Sequence, residues 1–140
     1  MSHPVTYIHL TPGKLPTGRV QPAPYKLVLI ADAAGAPEWQ SQVSEWIVKS
    51  GCRYMIAWGA GGSSWDDAVD MANIEAFDFG DIPDQHFIPT SCHADDPIEE
   101  VFGFCKYDAA HPVVELKQTV LLHIADAANA KALLEAYAAA

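Results

Sequence analysis

Tyr-Lys-Leu-Val-Leu-Ile-Ala-Asp, residues 25–32, is the stretch that decides the fold. Its four consecutive aliphatics, residues 27–30, lack the polar alternation of a half-solvated strand. Bounded by Pro24 and by an Ala/Gly-rich loop, they read as a strand buried on both faces. The strand ends at Asp32, and Pro37 sits well as the first residue of a helix. Strand, terminal carboxylate and helix make the opening of a parallel α/β sheet. Ligands of such sheets collect at the carboxyl ends of the strands.

Working outward, residues 5–10 have the β-branched and aromatic content of an edge strand. Residues 11–24 hold Pro12, Pro16, Pro22 and Pro24, too many prolines for a helix or a central strand. They read as an irregular arm that packs over the domain or reaches a neighbouring chain in a homodimer. Trp39, Val43, Trp46 and Ile47 give the first helix its apolar face, and Gly51 ends it as a left-handed cap. Residues 52–58 form the second buried strand and residues 59–62 a glycine loop. Ser63 or Ser64 then caps a second helix, with Ser64 and Asp67 approximating a capping box. A third strand is expected at 86–91. Asp96 as cap and Pro97 as first residue begin a third helix, with Glu99 and Glu100 in its first turn. Residues 113–116 read as extended and 119–124 as a final buried strand. Asp126 caps an Ala-rich last helix.

The order is β-(arm)-βαβαβαβα within a single domain, residues 1–140, with strand and arm at 1–24 and the α/β core at 25–140. Alternating strands and helices predict a mostly parallel sheet in a three-layer α/β/α sandwich of Rossmann-like or flavodoxin-like type.

Composition narrows the function. The formal charge is −10, and no Lys or Arg falls between Arg53 and Lys106 while eleven carboxylates do. That span offers a phosphate backbone no fixed cation, which excludes nucleic acid as an expected partner. It suits a basic protein partner, a small cationic ligand or a divalent cation. No apolar run reaches the roughly 18–20 residues of a membrane span. Cys52, Cys92 and Cys105 are odd in number without CxxC spacing, which predicts reduced thiols and a cytoplasmic location.

The glycine loop lacks Gly-Lys-Ser/Thr and a proper GxGxxG, and Asp66 and Asp67 in the next helical turn repel an anion. No nucleotide cofactor is expected. Asp32, Asp66 or Asp67, and His93 with Asp95 or Asp96 come from the ends of three successive strands. If those strands are neighbours, Asp32, Asp66, His93 and Asp95 converge as ligands for a divalent metal, which acidifies a water for hydrolysis. Cys92, near a helix start and a histidine, is a candidate nucleophile. Its adjacent His93 points to the opposite face of an extended segment, so its base has to be another group, such as His123 or Asp32. His123, in an aliphatic run, reads as a hydrogen-bonded core histidine. Trp58 and Trp65 flank the glycine loop as a recognition rim with Gly61, Ser64, Asp66 and Asp67.

Trp58-Gly59, then Ser64-Trp65-Asp66-Asp67-x-Val69-Asp70, Thr90-Ser91-x-His93-x-Asp95, Glu99-Glu100-x-Phe102 and a final Leu-Leu-His-Ile form one pattern. It resembles a small uncharacterised bacterial Rossmann-like domain family over about residues 25–126. The resemblance implies a free-standing bacterial cytosolic protein and groups Trp65, Asp66, Asp67 and His93; it implies no mechanism. Three readings follow. The leading one is an acidic, non-catalytic binding module whose partner surface lies at the strand carboxyl ends. The others are a small metal-dependent hydrolase using Asp32, Asp66 or Asp67 and His93, and a thiol enzyme centred on Cys92.

Overall fold

A computed structural model describes residues 4–17 and 23–140. The expectations for residues 1–3 and 18–22, including Pro22 of the arm, lie outside the described residues. Among the described residues, five strands form one all-parallel sheet: β1 (Val5–Leu10), β2 (Tyr25–Ala31), β3 (Cys52–Gly59), β4 (Thr90–Cys92) and β5 (Thr119–Ile124). Their spatial order is β1-β5-β2-β3-β4. Four helices flank them: α1 (Pro37–Lys49), α2 (Gly62–Ala76), α3 (Ile98–Tyr107) and α4 (Ala130–Ala139). The α/β/α sandwich with a parallel sheet is the architecture that the alternation of elements predicts.

All seven residues of β2 are buried, because it lies between β5 and β3 with helices over both faces. Side chains alternate across the pleat. Leu27, Leu29 and Ala31 meet Trp39, Val43 and Ile47 of α1 and Trp65 and Val69 of α2 on one face. Val28 and Ile30 meet Val101, Phe102 and Cys105 of α3 and Tyr137 of α4 on the other. Lys26, also buried, gives its ammonium to the Cys105 carbonyl in the last turn of α3, at 2.5 Å. A cation there meets the negative end of the helix.

The local expectations are corrected at several ends. Helix α2 starts at Gly62, ahead of both serines, because Gly61 adopts φ +71 and accepts the Trp65 N–H at 3.0 Å. Ser64 caps nothing: its hydroxyl donates to the Gly61 carbonyl and accepts from Gln40 Nε2. The third strand is only Thr90–Cys92. Upstream, Asp84–His86 is a short 3-10 turn, and the Asn73 side chain holds His86 and Ile88 by their backbone. Helix α3 begins one residue later than expected, with Pro97 rather than Asp96 at its cap position. Helix α4 has Asn129 there, not Asp126. No strand forms at 113–116. Gly51 does take the left-handed conformation, φ +103, just beyond α1.

The topology locates a crevice. The chain leaves β2 through α1 onto one face of the sheet and leaves β5 through α4 onto the other. Adjacent strands with diverging exits leave an opening above their carboxyl ends.

Candidate functional site at the carboxyl ends of β2 and β5

Asp32 follows β2 directly and continues the parity of Val28 and Ile30. Its backbone N–H bonds the Ile124 carbonyl, which ties it to the end of β5. His123 lies in register with Ile30 on one side and His9 on the other. The two side chains meet: His123 Nε2 lies 2.5 Å from Asp32 Oδ2. The imidazole is 3 % exposed and the carboxylate 50 %. A buried ring thus holds one oxygen of a carboxylate whose remaining surface faces solvent.

Behind His123 the chain of hydrogen bonds continues. Tyr7 Oη lies 2.7 Å from His123 Nδ1, and the Asn129 N–H donates to the same phenol at 2.9 Å. An ionised Asp32 only accepts, so Nε2 carries the ring proton. A neutral ring then accepts at Nδ1 from the Tyr7 hydroxyl. Each polar atom in this buried path has a partner, as a buried histidine requires. His9 donates from Nε2 to the Ala125 carbonyl at 2.7 Å and stacks obliquely near His123, ring centres 6.3 Å apart. Residues of β1, β2, β5 and the start of α4 therefore set the position of one carboxylate.

The surroundings are acidic. The loops leaving β2, β3, β4 and β5 carry Asp32, Asp95, Asp96 and Asp126, and no Lys or Arg. Asp95, Asp96 and Asp126 are exposed.

The other candidates are distributed. His93 does not join Asp32. Its Nδ1 lies 3.2 Å from Asp96 Oδ2, its Nε2 lies 3.0 Å from Ser91 Oγ, and its ring packs on Phe104. Asp66 lies at the sheet edge with Asp70, both bonded to Thr90 Oγ1 at 2.7 and 2.8 Å. Burial raises the Asp70 carboxyl above the usual carboxylate range; Thr90 opposes this, and the nearby Asp66 and Asp67 add to it. Asp67 is exposed. Asp32, Asp66, His93 and Asp95 thus do not converge. Among the described residues no group of three or more His, Cys, Asp or Glu side chains is placed to hold a metal ion.

Cys92 is exposed, and its Sγ lies so close to α2 that a Cβ at Gly62 would sit 3.0 Å from it. The other thiols are buried, and burial pushes Cys52 up to about 12. Trp65 is no rim residue: it is buried under α2, edge-on to Trp39 with ring centres 5.6 Å apart. Trp58 is half-buried and donates to the Asp96 carbonyl at 2.7 Å, which fixes the loop after β4 over the end of β3.

Tyr7 carried no sequence signal, because its role depends on β1 lying beside β5. Ser91 did carry one: residues two apart in a strand share a face, so Ser91, not Cys92, is the partner for His93.

Comparison with curated proteins and with solved structures returned no match. A family match runs over residues 5–140, beyond the 25–126 span of the pattern noted in the sequence, and takes in Tyr7, Asp32, Ser91, His93 and His123. The chain belongs to the family described as domain of unknown function DUF7684.

Proposed function

We propose that this domain is a binding module that receives a cationic group, an ammonium or guanidinium, in the crevice above β2 and β5. The observation that carries the reading is the Asp32 carboxylate, held on one oxygen by buried His123 and half exposed on the rest. A carboxylate so anchored loses little side-chain freedom on binding, which removes part of the usual cost of forming an ion pair. At this end of the sheet the loops leaving β4 and β5 add Asp95, Asp96 and Asp126, against one lysine, Lys14, in the loop leaving β1. Their summed field draws cations toward the crevice and repels anions. A lysine- or arginine-bearing segment of a basic protein and a small organic cation present the same chemistry to this site.

The test is a backbone amide NMR titration with agmatine, a lysine-rich peptide and succinate. Agmatine or the peptide is expected to move the resonances of Asp32, Ala33 and His123 saturably, while succinate leaves them in place. Asp32→Asn is expected to weaken that response at least tenfold. Equal shifts in wild type and Asp32→Asn, or shifts confined to other loops, would overturn the proposal.

A further inference from the structure

A second constellation lies at the β4 edge of the sheet, two strands from β2, and shares with the Asp32 crevice only the acidic loop that carries Asp95 and Asp96. Ser91 and His93 sit two residues apart at the end of β4, on the same face. Ser91 Oγ lies 3.0 Å from His93 Nε2. The other ring nitrogen, Nδ1, lies 3.2 Å from Asp96 Oδ2. Hydroxyl, imidazole and carboxylate are thus joined in the order that activates a serine: nucleophile to Nε2, orienting carboxylate to Nδ1.

The surroundings support an accessible, supported site. β4 is an edge strand, paired with β3 on one side. Ser91 and His93 are half-buried, and His93 keeps 19 % of its side chain exposed. Phe104 packs against the imidazole with ring centres 4.9 Å apart and limits its rotation. Trp58 pins the Asp96 backbone from β3, so the orienting carboxylate is not on a free loop. Tyr54, on neighbouring β3, lies on the same face, with its ring centre 6.2 Å from that of Phe104.

We propose that Ser91, His93 and Asp96 form an acyl-transfer site that hydrolyses short-chain esters with a neutral or cationic leaving group. Ser91 Oγ attacks the acyl carbon as its proton passes to His93 Nε2. The tetrahedral adduct collapses, the ester C–O bond breaks, and Nε2–H protonates the departing alcohol. A water then loses its proton to Nε2 and attacks the acyl-serine. The Oγ–C bond breaks and the proton returns to Oγ, leaving acid and alcohol. Asp95 and Asp96 beside the site disfavour anionic substrates. Ser91 and His93 are the catalytic residues; Asp96 is a positioning residue that acts through the ring.

The test uses the full chain with a fluorophosphonate probe and p-nitrophenyl acetate, read by peptide mapping and initial rates. The expected result is a single adduct on Ser91 and a rate that falls about 100-fold in Ser91→Ala and in His93→Gln. Cys92→Ser is expected to keep the full rate. Asp96→Asn is expected to lower kcat with KM unmoved, and Asp96→Glu to recover part of it. Unchanged thermal unfolding of Ser91→Ala verifies that the fold is intact. No adduct, an adduct on another residue, or hydrolysis that survives Ser91→Ala would overturn the assignment.

Discussion

Asp32 and His123 stand 91 residues apart in the chain and 2.5 Å apart across the boundary between β2 and β5. Only the strand order brings them together, since β5 crosses back over the sheet to lie beside β2 rather than beyond β4. The contact sits where the exits of the two strands diverge, which is where an open parallel sheet offers a ligand its opening.

The internal end of this network is expected to matter more for stability than the exposed end. Tyr7→Phe leaves His123 Nδ1 without its partner in a buried position, at a cost of about 1–3 kcal/mol. Asp32→Asn keeps an acceptor for Nε2–H at a half-exposed position and costs less than about 1 kcal/mol. Urea unfolding of both variants checks the order; a costlier Asp32→Asn would oppose it.

Asp70 has its carboxyl raised by burial, opposed by the Thr90 hydroxyl and reinforced by Asp66 and Asp67. The folded state therefore holds this proton more tightly than the unfolded state. Its contribution to stability is full below the unfolded carboxylate value and is lost as pH rises through the raised folded value. Asp70→Asn is expected to raise the Tm at neutral pH, with the gain shrinking toward pH 3. Thermal unfolding of both proteins from pH 3 to 7 tests this, and a gain independent of pH would contradict it.

Two glycine-to-alanine changes are expected to act in opposite directions. Gly59 has φ +95, and a Cβ there would lie 2.4 Å from the Ala31 carbonyl oxygen. That oxygen already accepts the Ala60 N–H at 2.9 Å, so it has little room to move. Gly59→Ala is expected to cost about 2–3 kcal/mol. Gly103 lies within α3, where a Cβ meets nothing within 4 Å. Gly103→Ala is expected to add about 0.5–1 kcal/mol. Chemical denaturation midpoints followed by far-UV circular dichroism separate the two.

The two tryptophans beside the glycine loop are expected to differ just as sharply. Trp65 is 3 % exposed and packs edge-on against Trp39, so Trp65→Ala is expected to cost about 3–5 kcal/mol. Trp58→Phe keeps most of the ring and removes one partly exposed hydrogen bond to the Asp96 carbonyl, costing about 1 kcal/mol. Guanidinium unfolding of both variants is the measurement, and similar costs would mean that Trp65 is not a core residue in solution.

The sequence by itself determined the layers. The uninterrupted aliphatic run in β2, the 3.6-residue stripe in α1 and the left-handed Gly51 are consequences of local geometry and burial, and each appears where its residues demand. Helix starts were less legible. Gly61 ends the loop after β3 in a left-handed turn, and Asp96 gives its carboxylate to His93. In both cases a tertiary or loop contact takes the group that a local rule assigns to capping. The candidate site was half legible. That Asp32 ends a buried strand was readable; its partner was not, because nothing local sets which strand lies beside β2. The grouping of Asp32 with Asp66 and His93 needed their side chains to turn toward one point. The pleat instead sends Thr90 toward Asp66 on one face and Ser91 with His93 toward Phe104 on the other. Burial patterns are written residue by residue along the chain, whereas strand order is set by the packing of the whole sheet. Only the tertiary structure could therefore decide that Tyr7, His123 and Asp32 share one crevice.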